Sequence, residues 1–151
     1  MKKIILIILL LLILFIPNSK TSKDNEEVKG VFISYLELSK YLKGKSVSEG
    51  KDNIDKMIEN INNLKLNTIF LQVRIASDSI YDSKIFPTSM YIADYEGGNY
   101  FNILDYFLNK CYQKKIKVYA WVNPYRIRTT EDINSISKTN PAFKYLNTDY
   151  I

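Results

Sequence analysis

The sequence contains no histidine. This removes the side chain that most often serves as a general base near neutral pH and that most often ligates metals. Cysteine is nearly absent as well: Cys111 stands alone. One Cys and no His leave no ligand set for zinc, and a single Cys builds no internal disulfide framework. No cofactor motif is present either, so neither a metal nor a cofactor is expected. Charge of one sign is not in large excess. Lys and Arg number 21 against 16 Asp and Glu, a net charge of +5. Nucleic-acid binding would cluster the basic residues on one face, and the sequence shows no such cluster, so no nucleic-acid partner is expected.

Long apolar runs are also missing, with one exception. Met1-Lys2-Lys3 is followed by 13 apolar residues, Ile4 to Ile16, and then by Pro17-Asn18-Ser19-Lys20. A basic start, a short apolar core and a polar exit are the layout of a secretory signal peptide. At about 1.5 Å per residue the run reaches roughly 20 Å, short of a roughly 30 Å hydrocarbon core. Residues 1–19 are therefore read as a signal peptide. The alternative is an uncleaved leader, which would be the only membrane contact. Removing Lys2 and Lys3 with the leader lowers the net charge from +5 to +3. Residues 20–27 are polar and unpatterned and read as a flexible linker. An exported location, extracellular or in the cell envelope, follows.

From Val28 the pattern becomes regular. Val28 to Leu36 is rich in β-branched and aromatic residues and reads as a first strand. Residues 43–50 read as a loop. Ile54, Met57, Ile58, Ile61 and Leu64 recur at helical spacing, predicting a helix from about Lys51 to Leu64, with Ser46 and Glu49 as a capping pair. Thr68 to Arg74 is a second strand. A long loop, 75–100, follows. Asn102 and Asp105 cap a second helix that buries Leu104, Phe107, Leu108 and Cys111, with Lys114 and Lys115 in its last turn. Lys117 to Asn123 is a third strand, ended by Pro124. A Ser/Thr-rich stretch, 129–139, precedes Asn140-Pro141, which opens a short helix. Strands alternating with helices make an α/β fold with a parallel sheet and right-handed crossovers.

Alternation along the strands separates two faces. Ile69, Leu71 and Val73 oppose Phe70, Gln72 and Arg74. Val118, Ala120 and Val122 oppose Tyr119, Trp121 and Asn123. Val31 and Ile33 oppose Phe32 and Ser34. The aliphatic face suits packing under helices. The other face turns polar toward the strand C-termini, where unpaired polar groups in a dry core would be costly. Two readings fit: a site opening at the strand ends, or an internal hydrogen-bond network tying the strands together. Trp121 is likewise either a stacking platform for a sugar or a core ring. The loop after the second strand, with Asp78, Tyr81 and Tyr91, is long enough to form a wall of such a site.

Five segments, in order, carry a resemblance: GVFISYLEL (Gly30–Leu38), LNTIFLQVR (Leu66–Arg74), SDSIYDSKIFPTS (Ser77–Ser89), the second helix, and KVYAWVNPYRI (Lys117–Ile127). Together with the later TNPAFKYLNTDY they resemble the glycosyl-hydrolase-like family ten domain, over roughly residues 28–151. The resemblance implies a (β/α)8 TIM barrel, export, and hydrolysis of glycosidic bonds, with cell-wall glycan of the peptidoglycan type as the leading substrate and partner. It also implies substrate-contact positions at Gln72, Arg74, Asp78, Tyr81, Trp121, Asn123, Pro124, Tyr125 and Arg126. There are departures. Phe32 stands where the family pattern has Trp, and Ile75-Ala76-Ser77 replaces a Pro-Phe-Gly-like turn.

A barrel of this kind takes about 250 residues. The sequence is therefore read as the N-terminal part of one, about three βα units, and glycosidic hydrolysis needs two carboxyl groups. Glu37, Asp78 and Glu131 are the nearby acids, and none has a recognisable partner. The catalytic residues are thus unassigned and expected beyond Ile151. The alternatives are a non-catalytic envelope sugar-binding protein and an inactive truncated remnant.

Overall fold

A computed structural model describes residues 27–92, 101–127, 138 and 140–145. The leader, the linker up to residue 26, Glu131 and the Ser/Thr-rich stretch apart from Lys138 lie outside the described residues. The elements run in the order β1 (Gly30–Ile33), α1 (Tyr35–Leu42), α2 (Val47–Asn63), β2 (Thr68–Arg74), α3 (Ile103–Gln113) and β3 (Lys117–Val122), with a 3₁₀ turn at Pro141–Tyr145. The three strands form one parallel sheet in the order β1-β2-β3. The fold is mixed α/β, and its repeated strand–helix–strand connections are those of βα units.

The first strand is shorter than the sequence pattern suggests. It ends at Ile33, and Ser34 opens a helix instead. The cause is local. Ser34 and Glu37 form a reciprocal capping box, in which the Ser34 hydroxyl takes a helix N–H and the Glu37 carboxylate takes the Ser34 N–H. This satisfies donors that a helix start leaves orphaned. Leu38 and Leu42, one turn apart, are then buried, while Leu36 faces solvent.

The next helix also starts earlier than its apolar spacing indicates, at Val47 rather than Lys51. Ser46 and Glu49 form its capping box, and Gly50 belongs to its first turn. A Cβ on Gly50 would stand 3.3 Å from Cε1 of Phe101, so the glycine is there for close packing rather than for a loop. In α3, Asn102 accepts the Asp105 N–H at 3.1 Å as the cap spacing implies. Phe107 and Cys111 are buried, but Leu108 is 40% exposed. Lys114 and Lys115 lie just past the last helical residue rather than in the last turn.

Both longer helices end alike. Lys65 and Lys115 have φ of 58°, the left-handed conformation. Leu66 N–H bonds Ile61 carbonyl and Lys65 N–H bonds Asn62 carbonyl, and Ile116 and Lys115 repeat the pattern on Cys111 and Tyr112. These are Schellman closures, each feeding straight into the next strand.

Ile33, Ile69, Leu71 and Val73 pack with Leu38, Leu42, Ile54, Ile58, Ile61, Phe107 and Cys111 in one core on the helical side of the sheet. The expectation that every aliphatic strand face lies under a helix holds for β1, β2 and the start of β3, where Val118 packs against the core. Ala120 and Val122, farther along β3, are exposed. The opposite face carries a ladder of rings. Phe32, Phe70 and Tyr119 are in register across the three strands, with centroids 4.7 and 5.5 Å apart. Gly30 leaves room for this, since a Cβ there would come within 2.9 Å of the Phe70 ring. Among the described residues, Phe32 is 65% and Tyr119 53% exposed.

At the N-terminal end of the sheet, Asn67 ties the strands together. Its Oδ1 accepts from Lys29 N–H at 2.9 Å, and its backbone carbonyl accepts from Lys117 N–H at 2.9 Å. The opposite, C-terminal end is thereby left to carry the polar residues.

Candidate functional site

Because the strands are parallel, Ser34, Arg74 and Asn123 all come at one end of the sheet. The structure sorts the residues gathered there by what each already touches.

Gln72 is 1% exposed, and its Oε1 accepts the N–H of Tyr35 at 3.1 Å. It fastens β2 to the first residue of α1. Asp78 turns back on its own loop: Oδ1 accepts from Ala76 N–H at 3.0 Å and Ile75 N–H at 3.3 Å. The turn that replaces the Pro-Phe-Gly-like sequence is thus closed by this carboxylate. Tyr81 packs half-buried against the core. Asn123 uses both ends of its amide. Its Oδ1 accepts from the indole Nε1 of Trp121 at 3.0 Å, and its Nδ2 donates to the Ile75 carbonyl at 3.3 Å. Trp121 is half-buried and meets Phe32 edge-on, at 5.8 Å between centroids. Tyr125 is 96% exposed, and Pro124 and Arg126 are exposed beside it.

Arg74 is different. A bulge between Gln72 and Arg74 interrupts the strict alternation and sets Arg74 opposite Val122. Its guanidinium lies 3.9 Å from the centre of the Phe86 ring. Phe86 is brought there by a local turn, in which the Ser83 hydroxyl accepts from Phe86 N–H at 3.0 Å and Ile85 N–H at 3.2 Å. The Arg74 Nε is buried and meets no acceptor.

The loop following β2 is held in place by its own residues. Ile75, Ile80 and Ile92 anchor it in the core. Ser79 N–H bonds Pro87 carbonyl at 3.0 Å and Ser89 N–H bonds Ser79 carbonyl at 2.8 Å, which folds the loop on itself. Residues 93–100, the rest of the stretch read as loop, lie outside the described residues.

Two residues matter here that sequence patterning missed. Asn140 is 7% exposed and its Nδ2 donates to the Ser77 carbonyl at 2.7 Å, across 63 residues of chain. Its Oδ1 accepts from Ala142 N–H at 2.8 Å. The Asn-Pro pair signalled only the second, local role. Phe86 lies within SDSIYDSKIFPTS, and Ser83, three residues before it, is the available turn signal.

Two acids near this end, Glu37 and Asp78, are committed. Hydrogen bonding from Ser34 holds the Glu37 carboxyl below its ordinary value. That is the wrong direction for a proton donor. Asp78 is held by the two loop N–H groups. Among the described residues no group of three or more Cys, Asp or Glu stands close enough to hold a metal ion.

The family model for glycosyl hydrolase-like 10 matches residues 27–150. The chain belongs to the glycosyl hydrolase-like 10 family. Glycosyl hydrolase YngK of Bacillus subtilis (strain 168) is 27% identical over 134 residues, covering 86% of this chain and 26% of that protein. Glycosyl hydrolase DigH of Escherichia coli (strain K12) is 32% identical over 100 residues, covering 62% of this chain and 23% of that protein. The chain thus spans about a quarter of the length of the curated relatives it matches. The glycosyl hydrolase-like 10 match takes in the ring ladder, the described part of the loop after β2 and every candidate residue from Gln72 to Arg126.

Proposed function

We propose that this chain forms one wall of the glycan site of an exported glycosidase acting on cell-wall glycan of the peptidoglycan type. The observation that carries the reading is the convergence, in a glycosyl hydrolase-like 10 chain, of Trp121, Asn123 and Arg74 at the C-terminal end of a parallel sheet. In parallel β/α folds, ligands are met at that end. An indole held in place by hydrogen bonding is a platform for a sugar ring.

The architecture of the whole site is a (β/α)8 barrel in this reading. The ring ladder supports it, since Phe32 and Tyr119 form an apolar surface of the kind that proteins cover. The exposed Ala120 and Val122 support it too, being the seat for a further helix. The basic start and apolar run of residues 1–19 support export.

Hydrolysis takes two carboxyl groups astride the bond. Glu37 and Asp78 are engaged with backbone N–H groups, so in this proposal the acid and its partner come from outside the described residues. The same commitment favours a second reading, a wall that binds sugar without cutting it. One experiment separates them. The purified 151-residue chain is incubated with soluble peptidoglycan glycan strands, and both retention and new reducing ends are measured. Retention without new ends is expected. New reducing ends from this chain would overturn the placement of the acids. A lack of retention would overturn the glycan site itself.

A further inference from the structure

We infer that Arg74 is a specificity residue that takes a carboxylate on the glycan, so that the site prefers acidic saccharides to neutral ones. The inference rests on the glycan-site reading above and adds a chemical class to it.

The argument starts from what Arg74 lacks. A guanidinium carries five N–H donors and no acceptor, and it stays charged at any working pH. Half-buried, it has given up much of its water, and a desolvated cation needs an anion or several acceptors. Among the described residues it has neither. No carboxylate forms an ion pair with it, and none of its nitrogens meets a hydrogen-bond acceptor. Nε alone is sealed off. The two terminal nitrogens are unpartnered without being enclosed, so they are the part a ligand can reach.

What Arg74 does have is the Phe86 ring, 3.9 Å away. Contact with a ring occupies the flat face of the guanidinium and leaves its in-plane donors free. Ring contact also fixes the plane, so the fork is oriented before any ligand arrives. A planar fork with free in-plane donors is matched by a planar carboxylate. The neighbouring polar groups do not compete for the same partner. Gln72, Asp78 and Asn123 are each bonded to backbone or to Trp121. Arg74 sits at the strand end next to Asn123, whose N–H bonds the Arg74 carbonyl at 3.2 Å.

Saccharide carboxylates come from two sources: a lactyl ether on an amino sugar, or the ring carboxyl of a hexuronic acid. The test uses both. Binding of the full-length protein is measured by calorimetry for a muramic-acid-containing oligosaccharide, for an oligohexuronate, and for the carboxyl-reduced form of each. A neutral N-acetylglucosamine oligomer serves as reference. A charge-assisted bond of this kind corresponds to roughly a ten- to hundredfold affinity difference. The expected result is that reduction of the carboxyl weakens at least one acidic ligand by that factor. Arg74→Gln should erase the difference. The ligand that responds names the source of the carboxylate. Equal binding of acidic and reduced ligands overturns the inference and leaves the glycan site standing. Binding of no saccharide overturns both. The comparison of ligands on the unaltered protein needs no variant, so equal binding overturns the inference even where Arg74→Gln unfolds.

Discussion

The indole nitrogen of Trp121 donates to Oδ1 of Asn123 at 3.0 Å, and Asn123 in turn donates to the Ile75 carbonyl at 3.3 Å. Two residues on β3 and its end are thereby locked to the start of the loop after β2. The asparagine acts by aiming the ring rather than by offering its own amide.

Replacing Asn123 by Ala leaves the indole N–H and the Ile75 carbonyl without their partners. The expected cost is about 1–3 kcal/mol of stability. Trp121 is the only tryptophan, so its emission reports the change directly. Collisional quenching by iodide should rise in the variant. Unchanged quenching together with unchanged stability would show that the ring is held by other contacts.

Glu37 gives a pH prediction. Its folded carboxyl lies below the ordinary value of 4.5, first because of the Ser34 side-chain hydrogen bond. A depressed carboxyl contributes stability that is present above the unfolded value and lost as pH falls through the folded one. Stability of the native protein should therefore fall below about pH 4.5, and Glu37→Gln should flatten that part of the profile. Ser34→Ala should cost about 1 kcal/mol at pH 7 by removing the cap. Denaturant midpoints measured from pH 3 to 7 check both. A parallel pH profile for Glu37→Gln would remove the capping box as the cause.

Lys65 and Lys115 hold left-handed backbone at the ends of α2 and α3. Glycine adopts that conformation without the Cβ clash that costs other residues about 1–2 kcal/mol. Part of the gain is offset by the greater freedom of glycine in the unfolded chain, so Lys65→Gly and Lys115→Gly should each stabilise by about 0.5–1 kcal/mol. The two sites are on different helices, and their effects should add. A destabilising outcome in urea titration would contradict the Schellman closures.

Cys111 is fully buried in α3, and burial pushes its thiol up to about 12. The thiolate is the reactive form. Thiol reagents at pH 8 should therefore label the folded protein only as fast as it opens, and rapidly once denatured. Immediate labelling of the native protein would place Cys111 at the surface instead of in the core.

Much of this fold is written locally. β2 runs from Thr68 to Arg74 as its alternation indicates, and the Ser46–Glu49 and Asn102–Asp105 pairs start their helices. The misreadings have physical causes. Ser34-x-x-Glu37 is a capping signal set inside a run of β-branched and aromatic residues, and the reciprocal hydrogen bonds prevail over the strand preference of Tyr35 and Leu36. Gly50 looks like loop until Phe101, distant in sequence, packs on it. The candidate site was legible as a set of positions, but not as a division of labour. Which polar groups are spoken for depends on partners such as Tyr35 for Gln72 and Ser77 for Asn140, brought close only by folding. The bulge before Arg74 likewise depends on its pairing with β3 and is invisible in the strand alone.

The central claim is that the strand-end wall around Trp121 receives a saccharide. Trp121 fluorescence during titration with peptidoglycan glycan oligosaccharides tests it most directly. We predict a saturable change in emission, with Asn123→Ala weakening the response by roughly tenfold, the loss of one well-placed interaction. A folded protein whose tryptophan emission stays constant through millimolar oligosaccharide would contradict the account.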